Sequence, residues 1–156
     1  MKTVYLETSI FGYLASRISA DLITAGNQQL TLDWWENHRL NFDLVISEAV
    51  IVECSAGDER AAKERLAFLK DLPVLDVDDG TRRLAQTILK EVPLPSRADV
   101  DALHIAVAAA HEVDYLLTWN CKHIANPSFR RIIDDVLMAA EIPPPIICTP
   151  QELIYA

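Results

Sequence analysis

Five short runs rich in β-branched and aromatic residues, Thr3–Leu6, Asp43–Ser47, Val74–Val77, Tyr115–Thr118 and Ile146–Cys148, are each parted from the next by helical sequence. Strands separated by helices throughout imply crossover connections, and therefore an α/β chain with a parallel sheet and helices on both faces. At 156 residues the chain is expected to be a single domain spanning 1–156, able to bury roughly 70% of its unfolded surface.

The helical stretches carry their own punctuation. Thr8 or Ser9 is placed to cap a short helix through Ala15, and the apolar residues between Asp21 and Arg39 fit a longer one despite Gly26. Ser47 is expected to cap a helix that starts at Glu48 and stops at Gly57. Asp58–Asp71 is rich in strong helix formers and is closed by Pro73. Asp78 or Asp79 opens a helix to Val92, and Ser96 with Asp99 resembles a capping box opening another to His111. Asn126 precedes a helix from Pro127 to Ala140, and Thr149-Pro150-Gln151-Glu152 reads as a cap with proline at the first helical position.

Composition narrows the functional classes. A net charge of −9 argues against a broad basic footprint, so nucleic-acid binding would need a local patch or metal ions. Cys54, Cys121 and Cys148 lie far apart without a CxxC, which points to reduced thiols in a cytoplasmic protein rather than a zinc site. No signal-peptide pattern and no long apolar run is present, so no membrane association is expected.

The chemistry gathers at strand ends. In an open parallel sheet, sites form beyond the carboxyl ends of the strands where strand order reverses. Glu7 follows the first strand and Asn120 the fourth, while Asp101 and Glu53 sit on helices next to those strands. Three carboxylates brought to one cleft repel unless a cation neutralises them, and an all-oxygen set suits Mg²⁺ or Mn²⁺. Such an ion supports phosphodiester hydrolysis. Thr8 and Ser9 are candidates to orient water or phosphate, and Lys122, Arg130 and Arg131 to meet phosphate near the cleft mouth. His104 is read as a core or supporting histidine, Asp99 as a cap and Asp114 as a solvated residue. Trp34-Trp35 is assigned to core or dimer packing, and a homodimer is the expected assembly.

Tyr5-Leu6-Glu7-Thr8-Ser9, Glu53 after Ser47, Asp101-Ala102-Leu103-His104-Ile105-Ala106 and Leu116-Leu117-Thr118-Trp119-Asn120 together resemble the PIN-domain family, which includes VapC-type toxins. The resemblance spans most of the chain and rests on the order of short motifs. It implies a three-layer α/β/α fold with a five-stranded parallel sheet in the order 3-2-1-4-5. It also implies an Mg²⁺- or Mn²⁺-dependent endoribonuclease whose catalytic residues would be Glu7, Glu53, Asp101 and Asn120, with the first three as metal ligands. RNA would be the substrate and an antitoxin protein a partner. Two positions depart from the pattern. Glu7 replaces the usual Asp and reaches about 1.5 Å further, and Asn120 stands where an acid is common. The competing expectation is a catalytically silent PIN-like module that binds protein or RNA.

Overall fold

Lys2–Leu6 forms β1 and takes the centre of the sheet in the computed structural model, which describes residues 1–155. Its neighbours are β2 (Phe42–Ser47) and β4 (Tyr115–Leu117), with β3 (Val74–Leu75) and β5 (Ile146–Cys148) at the edges. All pairings are parallel and the order is β3-β2-β1-β4-β5, as expected. Val4, Tyr5 and Leu6 are fully buried because helices flank the sheet, so β1 reads as a continuous apolar run.

The helices are α1 (Thr8–Ala15), α2 (Leu22–Asn37), α3 (Glu48–Cys54), α4 (Glu59–Phe68), α5 (Asp79–Glu91), α6 (Asp99–Ala110), α7 (Pro127–Ala139) and α8 (Pro150–Leu153). A 3-10 turn, Arg39–Asn41, leads from α2 into β2. Asp21, Asp58, Asp78 and Asn126 cap their helices with side-chain oxygens on backbone N–H groups. Before α8 the Glu152 carboxylate accepts from Thr149 N at 2.7 Å. The core is filled by Trp34, Phe11, Ile10, Ile46, Ile88, Ile105, Leu116 and Ile133. Trp34 stacks on Phe42, while Trp35 packs edge-on against Phe11 and Phe68.

Several local expectations change. Glu7, not Thr8 or Ser9, caps α1: its backbone is still extended and its carboxylate accepts Ser9 N–H at 3.0 Å. Ser47 occupies the cap position of α3 but makes no capping bond, because its hydroxyl pairs with Tyr5 at 2.7 Å. The expected Ser96–Asp99 capping box does not form. Pro95 O accepts Ala98 N–H and closes a turn that absorbs Ser96, so α6 begins at Asp99 behind an uncapped Ala98. α3 stops at Cys54, short of Gly57, and α4 stops at Phe68. Beyond α4 the chain turns into a left-handed residue, Asp71, at φ 66. β3 is two residues long because Asp76 O leaves the ladder and accepts from His111 Nε2 at 2.8 Å. Asp114 is not merely solvated: it accepts from Lys2 Nζ at 2.7 Å and Thr3 N at 2.8 Å, tying β1 to the start of β4.

Candidate metal centre

β1 and β4 run side by side as far as Leu6 and Leu117, so the residues that follow them, Glu7 and Thr118, emerge together at the carboxyl edge. This is the point where strand order reverses, with β2 and β3 to one side and β5 beyond β4. Glu7 is 5% exposed, and a carboxylate so deep needs donors. Its Oε2 receives three: Ser9 N at 3.0 Å, Thr118 Oγ1 at 2.7 Å and the Ser9 hydroxyl. Its Oε1 receives none among the described residues.

Glu53 projects from α3 and is half-buried. Its Oε1 accepts from Thr8 Oγ1 at 2.6 Å and pairs with His104 Nε2 at 2.5 Å, while its Oε2, like Glu7 Oε1, has no protein donor among the described residues. Neither open oxygen belongs to the buried polar atoms without partners, so both reach solvent. Burial pushes the Glu53 carboxyl up, but the His104 hydrogen bond and charge, with the Thr8 hydroxyl, outweigh it and hold the group below the usual carboxylate range.

His104 is wholly buried on α6. An ionised carboxylate can only accept, so Nε2 carries the hydrogen facing Glu53. In the neutral ring that leaves Nδ1 as acceptor for Tyr5 O–H at 2.7 Å, with Ser47 O–H then donating to the tyrosine oxygen. Burial raises the Tyr5 phenol far above its ordinary range and keeps it neutral. Glu7, Glu53 and His104 bring one ligating atom each within 4.8 Å of one another.

Asp101, on the same face of α6 one turn before His104, stands in a second group. Asn120 Nδ2 donates to its Oδ1 at 3.0 Å and His123 Nδ1 meets its Oδ2 at 2.7 Å. The two groups are joined, since Asn120 N donates at 2.9 Å to the same Thr118 hydroxyl that serves Glu7. The connecting loop is pinned by Trp119, whose N–H donates to Ser9 Oγ at 2.8 Å and whose indole donates to Thr31 and stacks on Tyr13.

The four residues singled out from sequence thus fall into Glu7 with Glu53 and Asp101 with Asn120, bridged by Thr118. Thr8 and Ser9 act on the carboxylates rather than standing apart from them. Lys122, Arg130 and Arg131 make no hydrogen bond or ion pair with the carboxylates among the described residues. Arg130, on α7, is close enough to Asp134 of the same helix and to Cys148 of β5 for its charge to act on both. Sequence reading assigned no part in the site to Thr118, Tyr5, Ser47 or His123. Only His123 had a local signal, its position three residues after Asn120 in a turn closed by Ile124 N and Ala125 N on Asn120 O.

A family model for the PIN domain matches residues 4–120. The chain belongs to the PIN-domain family. Among solved structures this PIN domain is similar to VapBC2 from Rickettsia felis bound to a DNA fragment from their promoter. The TM-score is 0.54 and the identity 20%, over 94% of this chain and 98% of that one. At that identity the likeness is one of fold. No curated protein matches the chain at a significant level. No helix among the described residues is long and apolar enough to cross a membrane.

Proposed function

We propose that this PIN domain is an endoribonuclease dependent on Mg²⁺ or Mn²⁺, and the toxin of a toxin–antitoxin pair. The observation that carries the reading is the paired open oxygens of Glu7 and Glu53. Each carboxylate has one oxygen taken up by protein donors and the other left to solvent at the switch point of the sheet. That is how a protein orients an acid toward a hard cation, and the oxygen-rich donor set fits Mg²⁺ or Mn²⁺ better than zinc.

Glu7, Glu53 and Asp101 would hold the ion. When bound it would supply Lewis-acid activation of a phosphodiester and lower the pKa of water. Asn120 would stand beside Asp101 as a neutral polar group of the catalytic set. The hydroxyls of Thr8, Ser9 and Thr118 keep the carboxylates in place without adding charge. Exposed Lys122 and Arg131 would meet RNA phosphate beyond the acidic cleft. The PIN-domain membership and the likeness to VapBC2 support an antitoxin as partner.

The test is cleavage of RNA by the purified chain. We expect it to require Mg²⁺ or Mn²⁺, to stop on chelation and to be lost in Asp101→Asn; cleavage indifferent to chelator would overturn the mechanism. For the partner, a small protein encoded beside this chain should co-purify with it and block the cleavage. One observation favours the competing reading of a silent module: both Asp101 oxygens already accept a protein hydrogen. A calorimetric titration without Mn²⁺ binding would establish that alternative.

A further inference from the structure

Glu53 and Asp101 are each held by a histidine, and the two histidines use opposite ring nitrogens. His104 turns Nε2 to Glu53 Oε1 at 2.5 Å, and His123 turns Nδ1 to Asp101 Oδ2 at 2.7 Å. We infer that His104 and His123 are positioning residues that fix the orientation of the Glu53 and Asp101 carboxylates, one through Nε2–H and the other through Nδ1–H. The inference rests on the cation-site reading above and names parts of it that the acidic residues alone do not supply.

His104 is 0% exposed and cannot touch substrate, so any effect it has passes through Glu53. Its ring is held from behind by Tyr5 of β1 and Ser47 of β2, whose hydroxyls can donate or accept, so it is the acceptor carboxylate of Glu53 that places the hydrogen on Nε2. Because Thr8 donates to the same oxygen, both donors act on Oε1 and leave Oε2 open. His123 is fixed differently. Its backbone N–H donates to Asn120 Oδ1 at 3.0 Å, which orients the amide so that Nδ2 faces Asp101. Asp101 is thereby held at one oxygen by the amide and at the other by the imidazole. The acceptor at Nδ1 fixes the Nδ1–H tautomer, the reverse of His104.

Two measurements test this. Long-range proton–nitrogen spectra of the metal-free chain at alkaline pH should show neutral His104 as the Nε2–H tautomer and neutral His123 as the Nδ1–H tautomer. The same tautomer at both positions overturns the inference. The second is a crossed substitution. The amide nitrogen of Gln falls near Nε2 of a histidine, that of Asn near Nδ1. His104→Gln and His123→Asn should keep the Mn²⁺ dissociation constant within about threefold, whereas His104→Asn and His123→Gln should weaken it about tenfold or more, the usual range for groups that orient a ligand. Equal losses for Asn and Gln at each position overturn the inference. If the buried His104 variants do not fold, the His123 pair decides alone, since that side chain is 15% exposed. A crossed pattern in Mn²⁺ affinity without RNA cleavage would overturn the nuclease reading and leave the positioning roles standing.

Discussion

Asn120 donates its amide hydrogen to Asp101 Oδ1 at 3.0 Å, and its own carbonyl oxygen accepts His123 N–H at the same distance. The residue that looked like a missing acid is therefore a donor to the acid beside it. Replacing Asn120 by Asp would set two carboxylates against each other and remove the hydrogen bond. In chelator, Asn120→Asp should lose about 1–3 kcal/mol of stability, measured by urea denaturation, and added Mn²⁺ should recover part of it.

Glu7→Gln and Glu53→Gln should each weaken Mn²⁺ binding while leaving the fold intact, since Gln preserves an acceptor oxygen for the Ser9, Thr8 and Thr118 donors. The readout is thermal. In wild-type chain Mn²⁺ at a hundred times its dissociation constant adds about 2.7 kcal/mol of stability, and the same concentration should add clearly less in either variant.

Acid should uncover the Glu53 pairing. Its folded pKa lies below the ordinary 4.5, so the stability it contributes is present above that value and is lost as pH falls through the folded pKa. Between about pH 5 and pH 3, metal-free wild-type chain should therefore lose more stability than Glu53→Gln, which has no carboxyl to protonate. Parallel pH profiles for the two proteins would contradict the pairing.

Trp34 is the largest fully buried side chain and stacks on Phe42 with ring centres 6.0 Å apart. Trp34→Ala should cost about 3–5 kcal/mol. Because its indole N–H is buried without a partner, Trp34→Phe should cost less than the lost area alone suggests. Chemical denaturation of the two variants gives both values.

The three free cysteines should divide by burial. Cys54 and Cys148 are buried, with burial pushing their thiols up to about 11 and about 12, whereas Cys121 is exposed. A disulfide reagent near neutral pH should modify one thiol quickly and the other two only on unfolding.

Much of this was legible in the linear chain. The alternation of β-branched runs with capped helical stretches specifies strands joined by crossovers, and that leaves a parallel sheet as the economical solution. Caps at Asp78 and Asn126 act within a few residues, which is why they could be read locally, while Asp21 and Asp58 were legible only as the starts of helical stretches. The short motifs ending in Glu7 and Asn120 likewise marked the right edge of the sheet. Local reading failed where a nearby group competed, as at Ser96, absorbed by the Pro95–Ala98 turn, and Ser47, claimed by Tyr5.

Tertiary structure alone decided how the polar residues are partnered. Thr118 and Glu7 are 111 positions apart, and His104 and Glu53 are 51 apart. A hydrogen bond requires an approach within about 3 Å and a set direction, and no spacing along the chain encodes that across separate strands and helices. Sequence therefore determined which acids reach the carboxyl edge, while strand register and helix packing determined which oxygen of Glu7 and Glu53 is covered and which is open.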